Sequence, residues 1–292
     1  MHMQSVAAAL ALLHGDEVHF SWTAWDAHPS IVIGCGALIA AYLWGVGPAR
    51  ERWSLGPPAS RWQIAAFVGS VVILFVSLTG PIHDLSDYYL FSAHMVQHML
   101  LMMIVPPLML LGMPAWLIRP ALRARRVERL ARFLTQPLIA FAIYNVVFVI
   151  WHFPFMYNAA LEDHDVHIVQ HLMFIATATM MWWPVVNPVP ELARMPGPVQ
   201  ILYLFAIGLP ASVVSAFIAL SEEVVYPFYG RAPRVFALSA LEDQQLGGMI
   251  MWVPGMILLW AAITVVFFRW ARREDREEAA ERRRLTETNA RA

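Results

Sequence analysis

Lysine is absent from this chain of 292 residues, so all 20 of its basic side chains are Arg. A chain without Lys cannot form a Schiff base with a retinal-type chromophore and has no P-loop lysine for nucleotide phosphates. Cysteine is scarce as well, because Cys35 is the only one. A single thiol excludes an internal disulfide, a CxxC redox pair and a CxxCH haem attachment.

Charged side chains are few. They make up 14% of the residues, hydrophobic residues make up 59%, and the mean hydropathy is +0.55. Soluble domains carry about 25% charged residues and are less than half apolar. The composition therefore excludes a soluble enzyme, a disordered chain and a nucleic-acid-binding protein. It predicts an integral membrane protein whose surface contacts lipid.

Seven windows of about 20 apolar residues predict an all-α, polytopic protein with seven transmembrane helices. The windows are 28–46, 62–79, 89–112, 137–157, 165–187, 198–220 and 247–268. Asp165, at the start of the fifth window, is the only formal charge inside them. We expect one transmembrane domain, 28–268, between an outer N-terminal segment, 1–27, and an Arg-rich cytoplasmic tail, 269–292.

The Arg residues predict the orientation of the chain. Eighteen of the 20 fall in the segments 47–61, 113–136, 188–197 and 269–292. The other four segments have a similar total length and contain only Arg231 and Arg234. Because cytoplasmic segments of membrane proteins are enriched in basic residues, we predict that the N-terminus lies outside and the C-terminus lies in the cytoplasm.

Histidines are concentrated in the outer half of the predicted bundle. No His falls in a predicted cytoplasmic segment. With a rise of ~1.5 Å per residue, five of them lie about 3–14 Å below the outer boundary. These five, from the third, fourth and fifth windows, are His94, His98, His152, His167 and His171.

A repeated motif suggests what these histidines do. Residues 94–98 read HMVQH and residues 167–171 read HIVQH. Histidines four residues apart lie on one face of a helix, so each pair can present two nitrogens to one metal ion. His152 can complete the site. Gln97 and Gln170 are candidates to orient the ligand imidazoles by hydrogen bonds.

The residues around the histidines favour copper. Imidazole binds Zn, Cu, Fe and Ni, whereas thioether sulfur selects Cu(I). Met102 lies one turn beyond His98 on the same predicted face, and Met95, Met99 and Met103 are on the same helix. We therefore expect copper as the bound metal, with Met102 close to it.

An acidic motif opens the seventh window. Asp243 precedes Gly247 and Gly248, two residues that allow close helix approach. The Asp243 carboxylate is a candidate to accept a His N–H or to bind a cation. A helix N-cap is the alternative role for this residue.

Other functions remain open from the residues alone. A single intramembrane His is often a structural hydrogen-bonding residue, and a cluster can be a proton relay in a transporter of protons or metal. A haem-binding redox protein also needs His on several helices. Two stacked haems require ligands about four turns apart on a helix, which this chain lacks. An enzyme is least favoured, because no nucleophile–base pair is recognisable.

Several motifs in combination resemble the CtaG family of multi-span bacterial proteins. They are His94–Leu100, Pro106-Pro107, Gly112–Pro114, Trp151-His152, His167–His171, Asp243–Gly248 and Met251-Trp252. The resemblance implies a multi-pass protein of the bacterial inner membrane that helps assemble caa3-type cytochrome c oxidase. It implies oxidase subunits as partners, the five histidines and Asp243 as functional residues, and delivery of copper that an extracytoplasmic donor supplies.

Overall fold

The computed structural model of the protein describes residues 20–23, 25, 27–189, 191–192 and 195–291. Helices and their connections make up this part of the chain, which contains no β-strand. The predicted all-α class is therefore confirmed. Most of the predicted outer segment, 1–27, lies outside the described residues.

Twelve helices follow one another along the described chain. They are α1 (Pro29–Trp53), α2 (Arg61–Ser77), α3 (Gly80–Tyr89), α4 (Phe91–Gly112), α5 (Ala115–Leu122), α6 (Arg125–Leu134), α7 (Pro137–His152), α8 (Pro154–Glu162), α9 (His164–Val186), α10 (Gly197–Ala219), α11 (Pro227–Arg231) and α12 (Ala240–Arg291). Six of the seven predicted windows fall almost entirely on one long helix each, whereas the fourth, 137–157, covers α7 and the start of α8.

The helix lengths allow five to seven membrane crossings. Five helices, α1, α4, α9, α10 and α12, are individually long and apolar enough to span a bilayer. Two bent pairs pass the same test, α2 with α3 at 51° and α6 with α7 at 69°. Counting each bent pair as one span gives seven, the number that the sequence predicts.

The predicted fourth span, 137–157, is too long at its outer end. Helix α7 ends at His152, and Phe153 adopts an extended conformation with φ −66° and ψ 135°. The reason is Pro154, since the residue before a proline is sterically restricted to extended backbone. The chain then starts α8 at Pro154, with its first turn beside the end of α7.

Helix α4 is interrupted where two prolines remove hydrogen-bond donors. A π-helical segment, Leu100–Ile104, precedes Pro106 and Pro107. Because Pro106 has no N–H, the carbonyl of Met102 loses its helical partner. The indole N–H of Trp182 on α9 donates to this carbonyl at 3.1 Å. A neighbouring helix thus satisfies the freed backbone group, as the interior of a membrane protein requires.

Two adjacent glycines bring α12 against its neighbours. A Cβ on Gly248 would lie 2.6 Å from the backbone nitrogen of Ala219 on α10. A Cβ on Gly247 would overlap the ring of Phe91, the first residue of α4. This close approach places the start of α12 directly against the start of α4, as the sequence predicts for these glycines.

Replacing Trp182 by Phe tests the importance of the satisfied carbonyl. The substitution leaves the buried Met102 carbonyl without a donor, and we expect it to lower the free energy of unfolding by about 1–3 kcal/mol. Trp183→Phe is the control, because the indole N–H of Trp183 has no partner among the described residues. Thermal unfolding in detergent measures both. Equal effects of the two substitutions would contradict the role of this hydrogen bond.

Candidate metal centre

The five histidines identified in the sequence lie together inside the bundle. They come from the start of α4, the end of α7 and the start of α9, and none is more than 8% exposed. The ring centres of His98 and His171 are 5.4 Å apart, and those of His94 and His167 are 5.3 Å apart. Three helices therefore bring imidazole rings to one end of the bundle.

Three of these histidines form a compact set of possible ligands. One ring nitrogen from each of His94, His98 and His171 lies within 4.8 Å of the others. We call these residues the three-histidine group. Both HxVQH motifs contribute to it, one with two residues and the other with its second histidine.

His167 belongs to a second set that includes a carboxylate. Asp87, His94 and His167 also present ligand atoms within 4.8 Å of one another. Asp87 lies 3.5 Å from Nδ1 of His167 and 3.4 Å from Nδ1 of His83. Sequence reasoning missed Asp87 and His83, although their spacing of four residues on α3 was a usable signal.

The arrangement differs from the predicted site in one respect. The sequence predicts five histidines around one ion, whereas the structure divides four of them between two sets that share His94. His152 is in neither set, and its ring centre is 6.5 Å from that of His98. The end of α7 at His152 leaves this ring on the far side of His98.

A chain of hydrogen bonds fixes the protons on two rings. The hydroxyl of Tyr229 donates to the carbonyl oxygen of Ser86, which can only accept. Its oxygen therefore accepts from Nδ1 of His94, at 2.9 Å. Nε2 of His94 is then an acceptor, and Nε2–H of His98 donates to it at 2.7 Å. Nδ1 of His98 consequently carries a lone pair.

Several ring nitrogens have no partner in the described part of the chain. These buried atoms are Nδ1 of His98 and Nε2 of His152, His167 and His171. Nδ1 of His152 donates to the carbonyl of Phe148 at 2.6 Å, so its Nε2 also carries a lone pair. Buried polar atoms are usually hydrogen-bonded. Four ring nitrogens without a partner on neighbouring histidines therefore suit a site that binds a cation.

Asp243 anchors the helix that carries His94 and His98. Its carboxylate accepts from the backbone N–H groups of Phe91 and Ser92, at 2.8 and 3.1 Å, and from the Ser92 hydroxyl. It makes no hydrogen bond to a histidine among the described residues. The expectation that it accepts a His N–H is therefore wrong. Asp243 is not the N-cap of its own helix either, because α12 begins at Ala240. Its carboxylate instead caps the start of α4.

The two glutamines do not contact the ligand rings as expected. Gln97 donates to the carbonyl of Ser77 at 2.7 Å and lies 3.3 Å from Nδ1 of His83. It therefore ties α4 to the end of α2. Both amide atoms of Gln170 are buried without a partner in the described residues. Met102 is buried next to His98, on the wall of a cavity.

Comparison with known proteins identifies the family. A model of the cytochrome c oxidase caa3 assembly factors, Caa3_CtaG, matches residues 40–273. The chain belongs to this family. The matched part of the chain contains both sets of possible ligands and Asp243.

Similar proteins occur in mycobacteria. An uncharacterised protein of Mycobacterium tuberculosis is 26% identical over 271 residues, which cover 86% of this chain. An uncharacterised protein of Mycobacterium leprae is 25% identical over 283 residues, or 89% of this chain. The chain spans only 40% and 41% of the length of these two relatives. No solved structure matches it.

The two helices with HxVQH motifs, α4 and α9, are each capped by an Asp. One Asp is buried and the other is exposed, which allows a matched test. Asp243 is fully buried and caps α4, whereas the exposed Asp163 caps its own helix, α9. We expect Asp243→Ala to lower the free energy of unfolding by about 1.5–3 kcal/mol, because it removes charge-assisted bonds to buried groups. Asp163→Ala should cost about 1 kcal/mol. Thermal unfolding in detergent measures the difference, and equal losses would contradict the assignment.

Proposed function

We propose that this caa3 assembly factor binds copper at the three-histidine group and hands it to the oxidase. Three buried imidazoles with nitrogens within 4.8 Å of one another are the observation that supports the proposal. Imidazole is a ligand of copper, and the client is a copper-containing oxidase. Copper is therefore the cargo of the protein and not a resident cofactor.

Small shifts would adapt the group to an ion. Metal–imidazole bonds of about 2.0 Å place the nitrogens of a trigonal or tetrahedral site about 3.3–3.5 Å apart. The nitrogens of His94 and His98 are 2.7 Å apart and joined by a proton. Because Nδ1 of His98 has no partner, this proton can move there and free both Nε2 atoms for the ion.

The orientation that fits this role has the histidines near the outer face of the bacterial inner membrane. We propose seven crossings, with the N-terminus outside and the C-terminus in the cytoplasm. The positive-inside bias supports this orientation. Arg119 and Arg132 both contact Glu191, at the end of the bundle away from the histidines. An extracytoplasmic donor would then reach the histidines from outside.

The two alternative functions have less support. The cavity beside His98 and His152 measures about 40 Å³, far below the 300–1,000 Å³ of pockets for cofactor-sized ligands. A haem therefore does not fit there. Buried imidazoles and carboxylates of the described residues all lie at one end of the bundle. A proton or metal pathway across the membrane would need such groups at both ends.

Removing the three-histidine group tests copper binding. We expect the triple substitution of His94, His98 and His171 by Ala to lower the stoichiometry of Cu(I) binding to the purified full chain in detergent by at least one ion. His164→Ala is the control, because His164 is exposed on the same helix as His171. Metal analysis after anaerobic loading and desalting gives the copper content. Wild-type protein that retains no copper would refute the proposal.

The same variants test the role in assembly. In a deletion strain, the control should restore oxidase activity and the triple variant should restore little of it. The copper content of the isolated oxidase should follow the activity. Full restoration by the triple variant would separate the assembly function from copper.

Tyr229 should set the affinity for copper through His94. Tyr229→Phe removes the acceptor that holds the proton on Nδ1 of His94, and loss of such a partner typically costs 10–100-fold in metal affinity. Tyr226→Phe is the control, because that hydroxyl donates to the backbone carbonyl of His152 and to no imidazole nitrogen. Competition with a Cu(I) chelator measures both. An unchanged affinity in Tyr229→Phe would contradict this role.

A further inference from the structure

A cavity of about 40 Å³ lies next to the three-histidine group, between α4, α7, α10 and α12. Six methionines form much of its wall: Met95, Met99, Met102, Met103, Met251 and Met256. Such a volume holds two or three water molecules or one metal ion. We call it the methionine cavity.

Two glycines in the wall of the cavity face methionine side chains. A Cβ on Gly208 would lie 3.0 Å from the sulfur of Met256, and the same sulfur accepts from the hydroxyl of Ser212 at 3.5 Å. A Cβ on Gly255 would lie 3.7 Å from the sulfur of Met99. Two thioether sulfurs therefore lie beside the glycines that line the cavity.

Two buried imidazoles complete the wall. His98 is 4% exposed and His152 is 6% exposed, and both line the methionine cavity. Each has a ring nitrogen without a partner among the described residues. His98 also belongs to the three-histidine group, so its ring lies between this group and the methionine cavity. An ion held by the group is thus one imidazole away from the cavity.

We propose that the methionine cavity is a second copper site, specific for Cu(I), that receives the ion from the three-histidine group. This proposal rests on the proposed function. Thioether sulfur is a soft ligand that selects Cu(I) over Zn(II) and Cu(II). The cavity contains no carboxylate, and the cost of desolvating an ion rises with the square of its charge. A monovalent ion is therefore the cation that these neutral ligands can hold.

His98 gives the ion a route between the two sites. When Nε2 of His98 releases the ion from the three-histidine group, the same ring borders the methionine cavity. Exchange of one ligand at a time keeps the ion coordinated throughout, so it need not pass through hydrocarbon as a free charge. The two sites can then be loaded in sequence without a large movement of the helices.

The test compares two sets of methionines in the full-length protein in detergent. One variant combines Met99→Leu, Met102→Leu and Met256→Leu in the cavity. The control combines Met109→Leu, Met113→Leu and Met173→Leu, which lie outside it. Leu and Met have similar volumes, so the packing cost is small. The probes are Cu(I) and Ag(I), a redox-inert ion with the same ligand preference, and the readouts are stoichiometry and X-ray absorption.

We expect wild type and control to bind two ions and to show sulfur ligation. The cavity variant should bind one ion and lose the sulfur signal. Its affinity for a second Ag(I) ion should be at least tenfold weaker than that of wild type. The single variants Met99→Leu and Met256→Leu provide the same comparison if the triple variant is unstable. His94→Ala with His171→Ala should remove the other ion and leave the sulfur signal.

Three results would overturn the proposal, and they differ in what else they refute. One ion with only nitrogen ligation in wild type, unaffected by the cavity variant, would refute the methionine site and leave the proposed function intact. No ion in wild type would refute both. Sulfur ligation that persists in the cavity variant would also refute the assignment of these residues.

Discussion

The hydroxyl of Tyr229 has a single proton, and this proton goes to the carbonyl oxygen of Ser86. That constraint fixes the positions of the protons on His94 and His98. Nδ1 of His94 must carry a proton that it donates to Tyr229, and Nε2 of His94 must accept a hydrogen bond. His98 becomes the donor and keeps its own Nδ1 lone pair. Tyr229 comes from the short helix α11, so a connecting segment outside the long helices sets the protonation of rings inside the bundle.

The position of the cluster depends on a second interaction, between α12 and the start of α4. The Asp243 carboxylate accepts from two backbone N–H groups at the start of α4, where the helix dipole favours a negative charge. Gly247, one turn later, lets the two helices approach closely enough for this contact. One motif thus supplies both the cap and the space for it, at the start of the helix that carries His94 and His98.

Hydrophobicity alone was enough to predict the long helices and the layer of histidines, because both depend on periodic patterns within one segment. The HxVQH repeats placed His94, His98 and His171 correctly on facing helices. The break after His152 follows from Pro154, a local signal that apolarity alone does not contain. The roles of Asp87 and Tyr229 were not predicted, because their contacts with His167 and His94 join residues that are 80 and 135 positions apart in the sequence. Gln97 was assigned to the wrong partner, because its amide donates to the carbonyl of Ser77 on another helix rather than to an imidazole of its own motif.

The π-helical segment of α4 joins the histidines to the methionines. In a regular helix, Met102 would share a face with His98, and Met103 would point elsewhere. In a π turn the hydrogen bonds run from residue i to i+5, so positions four and five residues away both approach the same face. Met102 and Met103 accordingly line the cavity together with His98. The prolines that follow have no N–H for the Met102 carbonyl, so this carbonyl accepts from Trp182 instead. Trp182 lies on α9, the helix that carries His171, and its hydrogen bond holds the distorted segment in place.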